Sequence, residues 1–520
     1  MRKQTKLVAV LSAAALLAIG ASMTSFAAKG WQEENGSWYY YSNDDDYVTN
    51  EWKKSGNNWF YLGDDGAMMT DSLVEDGSKT YYVNANGAMV TNSWVAVEPG
   101  DDDYEDNAPD HYWYYFGSNG KAYKAGDSGL SIKTINGKKY GFDRDSKMVY
   151  GFVQEDGTKN TDENPFVDAM YYFGDSDDGA MHTGWLQYMD GSDLTSSTGK
   201  EYSDMSEMWF YFKPSNGKMV KTEAGAELDT ETVNGNKYGF DESGVMVYEW
   251  NETSTLSTAT GSGIKYFSEE TDGHLQKKTW IYAVPSEEID PDDYNDDQYR
   301  WFYTDSQGNT YKSDLRKING KKYLFNEVGI MQSGLQWVDA SDLDNVEIDT
   351  SDDITDTSEH IMEYNTDGYN LYYFSGDEEA DGSMKTGKNI KIELDDDTFT
   401  FAFKNNGQAY DYSVDGLEDK KVYINGILQK ADSDMRYEKV SVENKDGETV
   451  DYLVGTSGTV VSNKKYVKDG DDNWWSVDPN GKVEDHGSED ESKDIARCVS
   501  QGKDYDSEIE DDGDVKITCK

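Results

Sequence analysis

The chain has 520 residues, and 48 Lys and Arg against 102 Asp and Glu give it a formal net charge of −54. A surface this acidic repels phosphate, which argues against nucleic acids and anionic membranes as partners. High net charge with few aliphatic residues is typical of disorder, yet the chain has 14 Trp, 39 Tyr and 17 Phe, which disordered chains lack. The aromatic residues therefore predict a folded protein with an unusual core.

The first 27 residues have the organisation of a secretory signal peptide. Arg2 and Lys3 open the chain, residues 7–19 are apolar but too short to cross a bilayer comfortably, and Ser25-Phe26-Ala27 places small residues at a cleavage site. No later stretch is apolar enough for a membrane helix, and the C-terminus lacks a hydrophobic anchor. We therefore expect a secreted protein with no membrane span, held at a surface by non-covalent contacts.

From Gly30 onward the chain consists of short aromatic repeats. The clearest unit begins at Trp52, continues with Trp59-Phe60-Tyr61 and ends with Gly66 and Met68, and its Gly-x-Met signature returns after 21 residues. Such a unit predicts two short strands joined by a turn, which is a β-hairpin. Because a lone hairpin is marginal in water, each hairpin must stack on its neighbours. The predicted fold is an all-β solenoid of stacked short hairpins, about 20 residues per repeat, with acidic loop inserts.

A second kind of unit lacks both Trp positions. It runs Ile135-Asn-Gly-Lys-Lys-Tyr-Gly-Phe142 and returns with small changes at residues 233–240 and 318–325. We do not expect a working ligand site in these units, because the large rings are missing.

The repeats weaken towards the C-terminus. We place the repeat array at residues 30–398, divergent repeats at 399–484 and an acidic C-terminal tail at 485–520. Cys498 and Cys519 lie in that tail and could pair with each other outside the cell. No CxxC spacing or full calcium-binding loop occurs, so we expect no metal and no cofactor.

All 14 Trp fall on two positions of the repeat, either leading a unit or opening the aromatic triplet. Three interpretations stay open for these rings. They can be the hydrophobic mass of a small core, they can form cages that hold a quaternary ammonium by cation–π attraction, or they can stack against sugar rings. Spacing alone does not separate the last two.

Three segments carry a family resemblance: residues 52–70, 181–185 and 384–387. They resemble the cell-wall-binding repeat shared by choline-binding proteins of Gram-positive bacteria and by the glucan-binding regions of secreted glucosyltransferases. The resemblance implies that choline sits between consecutive hairpins. It would be held by two aromatic residues of one repeat and one of the next, often with a Met nearby.

Carried over to this chain, the resemblance gives a first cage of Trp31 and Trp38 with Tyr61. The second cage is Trp52 and Trp59 with Tyr82, and Met68 lies near its wall. Further candidate positions follow the same pattern; they are Trp94, Trp113 and Tyr115, Trp185, Trp209 and Tyr211, and Trp280, Trp301 and Tyr303.

The five histidines are scattered, and no catalytic motif or non-repeat block of catalytic size occurs, so we expect no enzyme. The sequence favours a secreted protein associated with the cell wall or cell surface. Its partner would be a choline-substituted teichoic acid or polysaccharide, and no nucleic acid. The alternatives are an extracellular polysaccharide-binding adhesin, such as a glucan binder, and a structural surface stalk without a small ligand.

Overall fold

The structure is a computed structural model. It describes residues 29–42, 46–100, 109–159, 164–189, 207–224, 226, 228–251, 264–342, 345–376, 381–471, 473–486, 492–510 and 515–520. The signal peptide expected at residues 1–27 lies outside these residues. The chain divides into two compact units, residues 1–258 with 267–275, and residues 259–266 with 276–520.

Short strands dominate the described residues. The strands up to residue 251 are β1 (Gly30–Glu34), β2 (Ser37–Tyr41), β3 (Glu51–Ser55), β4 (Asn58–Leu62), β5 (Ser72–Asp76), β6 (Lys79–Val83), β7 (Ser93–Val97), β8 (Tyr112–Phe116), β9 (Ser131–Ile135), β10 (Lys138–Phe142), β11 (Gly151–Val153), β12 (Tyr171–Phe173), β13 (Gly184–Tyr188), β14 (Met208–Phe212), β15 (Asp229–Val233), β16 (Asn236–Phe240) and β17 (Glu249–Asn251).

The remaining strands are β18 (Lys265–Phe267), β19 (Trp280–Ala283), β20 (Arg300–Tyr303), β21 (Asp314–Ile318), β22 (Lys321–Phe325), β23 (Gly334–Asp339), β24 (Glu347–Ile348), β25 (Asn370–Phe374), β26 (Gly387–Leu394), β27 (Asp397–Phe403), β28 (Tyr423–Ile424), β29 (Ile427–Leu428), β30 (Tyr437–Glu443), β31 (Thr449–Gly455), β32 (Lys464–Lys468), β33 (Trp474–Val477), β34 (Val483–His486), β35 (Tyr505–Ile509) and β36 (Val515–Cys519). The helices are α1 (Pro291–Asn295), α2 (Ser358–Glu363), α3 (Tyr412–Asp415) and α4 (Ser492–Ser500).

Most strands pair with their chain neighbour in an antiparallel hairpin. The tight turns use residues that tolerate positive φ, as at Asn136 and Gly137, with φ of 49° and 86°. Two positive φ values suit the twist of the flanking strands, which is why Asn-Gly is favoured there. The predicted all-β class of repeated hairpins is confirmed. Among the described residues, no helix has both the length and the apolar character that crossing a membrane requires.

Each hairpin buries few large side chains. The residue that ends the second strand is commonly fully buried, as Leu62, Phe116, Phe142, Phe212 and Phe325 are, each with 0% of its surface exposed. Residues two apart in a strand share a face, so the triplet residue two positions earlier points to the same side. A core this thin explains how a chain with few aliphatic residues folds.

A repeated pair of backbone hydrogen bonds links successive hairpins within each of the two compact units. After the β3–β4 hairpin, the amide of Met68 donates to the Trp38 carbonyl of the preceding hairpin at 2.7 Å. The next amide, of Met69, donates to the Tyr61 carbonyl of its own hairpin at 2.9 Å. The same link recurs along the chain, for example from Met148 to Trp113 at 2.8 Å. Successive hairpins are therefore connected by main-chain hydrogen bonds as well as by side-chain contacts.

The Gly-x-Met signature has a physical cause in this link. Gly87 has φ of +76°, and a Cβ added there would lie 2.6 Å from Cε of Met68 in the previous repeat. Any side chain at Gly87 would thus collide with Met68 and also strain the backbone. Each Met in the signature packs on the glycine of the following repeat, so the motif couples one hairpin to the next.

The segment expected as an acidic tail contains regular structure. Helix α4 packs near the antiparallel β35–β36 hairpin, and Ile495, Cys498 and Ile517 form a small buried cluster. Cys498 and Cys519 form a disulfide, with their Cα atoms 5.1 Å apart. A few apolar residues and one cross-link are enough to order a short acidic segment. The segment therefore combines an acidic composition with regular structure.

Candidate functional site

Three hairpins present the same cluster of four aromatic rings, which we call ring groups I, II and III. Each group combines the leading Trp of a hairpin, the first and third rings of its triplet, and a Tyr from the next hairpin. Group I is Trp94, Trp113, Tyr115 and Tyr140; group II is Trp185, Trp209, Tyr211 and Tyr238; group III is Trp280, Trp301, Tyr303 and Tyr323.

The three groups have nearly identical geometry. The centroids of the two Trp rings lie 6.3, 6.4 and 6.1 Å apart in groups I, II and III, with interplanar angles of 88°, 85° and 89°. From the leading Trp to the triplet Tyr the distances are 5.1, 5.1 and 5.0 Å. The Tyr of the next hairpin lies 4.8 Å from the leading Trp in every group. The same arrangement of four rings therefore recurs in three different repeats.

Strand pairing explains how the rings meet. In group I, Trp94 lies directly opposite Tyr115 in the β7–β8 hairpin, and Trp113 shares a face with Tyr115. This face is turned towards the following β9–β10 hairpin, from which Tyr140 reaches Trp94. The neighbouring residue Gly141 faces the other side of the strand, where a Cβ would lie 2.6 Å from Val149 and 2.9 Å from Phe173. The unit type without Trp thus completes the cluster of the hairpin before it.

The rings are uncharged, and most of them are half-buried, whereas Tyr323 of group III is buried. Trp94, Trp185 and Trp280 are each partly exposed. Burial raises the pKa of the Tyr115, Tyr140 and Tyr323 phenols above the ordinary value of 10.0. These phenols therefore remain neutral at physiological pH, and their π faces stay available to a cation.

Two smaller clusters lie nearer the N-terminus. Trp52 contacts Tyr61 of its own hairpin and Tyr81 of the next, both at 5.1 Å between centroids. Trp31 likewise contacts Tyr40 at 5.5 Å and Phe60 at 5.4 Å.

The cluster of Trp31, Tyr40 and Phe60 already has a cation of the chain over one of its rings. The Lys53 ammonium lies 5.2 Å from the centre of the Tyr40 ring and also bonds Glu51 at 2.8 Å. An internal ammonium over this ring competes with any external one. The cluster around Trp31 is therefore a weaker candidate for a ligand site than the ring groups.

The predicted cages and the observed clusters differ in their third ring. The sequence assigned Tyr61 to Trp31 and Tyr82 to Trp52, whereas the structure places Phe60 and Tyr81 there. Alternate residues of a strand face opposite neighbours: Phe60 meets the preceding hairpin and Tyr61 the following one. Tyr82 instead donates a hydrogen bond to Asp71 at 2.6 Å.

Three other predicted residues also have distinct surroundings. Trp38 lies opposite Glu33, on the face that carries Trp31. Trp59 is 40% exposed, with the Lys54 ammonium 5.9 Å from its ring centre. Met68 packs on Gly87, whereas Met69 packs against the cluster of Tyr61 and Tyr81. Binding by Trp38, Trp59 and Met68 stays a prediction.

Sequence reasoning missed one wall of each ring group. Tyr140, Tyr238 and Tyr323 come from the units in which no site was expected. The available signal was the recurring Asn-Gly turn with a Tyr at a fixed distance after it. Phe142 supports the wall in group I, with its centroid 5.8 Å from that of Trp94.

Two family models match the N-terminal part of the chain. Residues 48–94 match the model described as choline-binding repeat, and residues 29–45 match the model described as putative cell wall binding repeat. No curated protein was found to match the chain.

Solved structures of repeat proteins are similar to the chain at low identity. CbpJ from Streptococcus pneumoniae TIGR4 is 16% identical over 73% of this chain and 100% of that one, with a TM-score of 0.35. CbpF of Streptococcus pneumoniae, in its structure with ipratropium, is 19% identical over 75% of this chain and 100% of that one, with a TM-score of 0.33. The modular autolysin LytC of Streptococcus pneumoniae is 17% identical over 59% and 54%, with a TM-score of 0.32.

Proposed function

We propose that this chain, a cell-wall-binding repeat protein of the choline-binding type, is a secreted, non-catalytic protein that attaches non-covalently to the bacterial envelope. Its ligand is the quaternary ammonium of choline on a teichoic acid or polysaccharide of the wall. The ring groups hold this cation between consecutive hairpins.

The observation that carries the proposal is the threefold recurrence of one ring geometry. In each group two Trp rings stand nearly perpendicular, and two Tyr rings lie about 5 Å from the leading Trp. Walls on several sides suit a rounded trimethylammonium, which gains about 0.5–2 kcal/mol from each well-placed ring. A flat ligand would not need perpendicular walls.

Charge supports the same ligand. The net charge of −54 attracts a cation over distances comparable to the screening length and repels free anionic polymers. Several weak sites on one chain also act together. Once one site is occupied, the others face a high effective concentration of choline on the same polymer.

The proposal is tested by passing the mature protein over a resin that carries tertiary amine groups resembling choline. We expect retention at moderate salt and release by free choline. High salt alone should release the protein poorly, because cation–π contacts in a partly enclosed site are less screened than surface ion pairs. A matched control is Tyr294→Ala, an exposed tyrosine outside the ring groups, which should be retained like the native chain.

Other outcomes would redirect the assignment. Absence of retention contradicts the choline proposal. Retention that salt reverses and choline does not would indicate simple ion exchange by the acidic surface. Binding to an insoluble α-glucan without any response to choline would favour the polysaccharide-binding adhesin, and binding to neither support would favour the stalk.

A further inference from the structure

The three ring groups consist of the same four kinds of ring in the same arrangement, but they differ in the residues at their outer rim. The rim consists of the residue facing the triplet Trp across the hairpin and the residue two positions before that Trp. In group I these are Ala96 and His111, in group II Gln187 and Glu207, and in group III Tyr282 and Tyr299. Only in group III are both rim positions tyrosine.

The two rim tyrosines extend the aromatic surface of group III outward. The Tyr282 ring lies 4.7 Å from Trp301, with 30° between the planes, and 5.2 Å from Tyr299, with 35° between them. The three rings thus form a row of roughly parallel planes, unlike the perpendicular pair of Trp280 and Trp301. Tyr282 is 51% exposed and Tyr299 is 54% exposed, so both present much of their surface to solvent.

A rigid insert holds the rim in place. Residues 284–299 connect β19 to β20 and include α1, whose first turn is capped where Asp290 accepts a hydrogen bond from the Asp293 amide at 3.0 Å. Arg300 donates two hydrogen bonds to the Asp293 carboxylate, at 2.7 and 2.6 Å. Because Arg300 lies between Tyr299 and Trp301 in the chain, this bidentate pair fixes the start of β20, with Tyr299 just before it and Trp301 within it.

The other two groups act as internal controls for what folding needs. Group I keeps the same geometry with Ala96 opposite its triplet Trp, and group II keeps it with Gln187 there. Group II therefore shows that the hairpin folds without aromatic rim residues, whereas in group I the His111 ring packs edge-on against Trp113 at 5.1 Å. Two large rings left more than half exposed contribute little to the core and add apolar surface facing water, which is the usual mark of a binding surface.

We propose that Tyr282 and Tyr299 form a stacking subsite for a neutral pyranose, next to the cation site of group III. Tyr282 lies between Trp301 and Tyr299 in this row, so the flat face open to a ligand is that of Tyr299 at the end of the row, and it matches the C–H face of a sugar ring. It offers no enclosure for a cation. The acidic residues of the same insert, among them Glu287, Asp292 and Asp296, disfavour phosphorylated or otherwise anionic sugars.

The inference deepens the proposed function and rests on it for the neighbouring cation. A polymer that carries choline on a sugar chain would place its ammonium among the four rings and an adjacent neutral sugar on the rim. Groups I and II would bind the ammonium alone. Group III would therefore be the site that distinguishes a choline-bearing glycan from free choline.

Saturation-transfer difference NMR on the full mature chain tests the subsite. The probes are chitotetraose, cellotetraose and maltotetraose, each measured with choline at saturation. We expect at least one to receive saturation through its ring C–H protons when the aromatic protons of the protein are irradiated. The Tyr282→Ala/Tyr299→Ala variant should weaken that binding about tenfold or more, because the stacking face of Tyr299 and the Tyr282 ring that supports it are both lost.

Two further variants make the test specific. Tyr282→Phe/Tyr299→Phe keeps both aromatic rings and should bind the sugar like the native chain. Retained binding in this variant would show that the two positions tolerate substitution without loss of the fold. Tyr294→Ala, in the same insert and 46% exposed in the native chain, should bind like the native chain. Equal binding by the double alanine variant, or no binding of any probe by the native chain, would overturn the subsite.

The choline resin separates this inference from the proposed function. A native chain that is retained and released by choline but binds none of the tetrasaccharides refutes the subsite alone. A native chain that ignores choline but binds a tetrasaccharide through the rim tyrosines refutes the choline assignment and leaves the pyranose subsite standing.

Discussion

The hairpins that carry the ring groups differ from those near the C-terminus in what they bury. The β7–β8 hairpin has two five-residue strands lined with Trp and Tyr. By contrast, β30 and β31 have seven residues each and place Val442, Val450 and Val454 in a valine-rich cluster that also contains Tyr412 and Tyr452. Both kinds nevertheless use the same main-chain link. The Val460 amide donates to the Lys420 carbonyl at 2.8 Å, just as Met148 does to Trp113.

The stacking of one hairpin on the next therefore does not require tryptophan. Longer strands with valine and leucine achieve the same connection, so the Trp rings of groups I to III exceed what the link needs. Where Trp does serve the core, it is fully buried and paired: Trp475 is 3% exposed and donates to Asp469 at 2.7 Å. The indole nitrogen of Trp113, in contrast, has no hydrogen-bond partner among the described residues. In group II the equivalent Trp209 donates to Glu207 at 3.1 Å, so the difference that the ring groups share is the partial exposure of their Trp rings.

The largest effect should come from removing the leading Trp of every ring group. The variant Trp94→Leu/Trp185→Leu/Trp280→Leu should lose choline-dependent retention, since each site loses a ring worth about 1–2 kcal/mol of binding. Isothermal titration with choline measures the loss. Circular dichroism should still report strands, because the core residues Phe116 and Phe212 are unchanged. A folded triple variant that binds choline like the native chain would refute the assignment.

The second prediction concerns the C-terminal segment 492–520, whose described residues contain no ring group. Replacing Cys498 and Cys519 with Ser opens a cross-link between residues 21 apart and should lower the local free energy of unfolding by about 3 kcal/mol. Hydrogen exchange of α4 and β36 should accelerate, while choline binding stays as in the native chain. Unchanged exchange in both elements would show that packing alone orders this segment.

The third prediction tests the coupling between hairpins through a pair of glycines in one repeat. Gly87 and Gly77 both have positive φ, at +76° and +65°, but only Gly87 has Met68 in its way. Gly77→Ala should cost about 1 kcal/mol from backbone strain, and Gly87→Ala about 1 kcal/mol more, because Met68 must move. Chemical denaturation compares the two. Equal costs would mean that the methionine adjusts freely.

The smallest expected effect is a dependence of stability on pH. Hydrogen bonds from Lys321, Ser375 and Ser383 hold the pKa of Asp381 well below its ordinary value of 3.8. Because the folded state prefers the carboxylate, the stabilisation is present above about pH 4 and is lost as the pH falls further. Asp381→Asn should therefore lower the melting temperature slightly at neutral pH, and the difference should shrink in acid. A constant difference across this range would contradict the assignment.

Much of the hairpin fold could be predicted from the chain order of the residues. The Asn-Gly turns and the alternation within each triplet depend on local backbone preferences, so they are visible without any neighbour. The Trp positions of the ring groups were found in the same way. The Gly-x-Met signature was also visible, but its cause was not, because Met68 and Gly87 belong to different repeats.

The order of the residues is enough to predict aromatic hairpins and to say which residues within a hairpin share a face. Which neighbouring hairpin each face contacts is known only from the folded chain. That choice makes Tyr81 the partner of Trp52, brings Tyr140 to Trp94, and leaves Tyr282 in the open. The physical reason is that a strand has a period of two residues whatever lies beside it, whereas contacts between hairpins depend on the direction in which they stack.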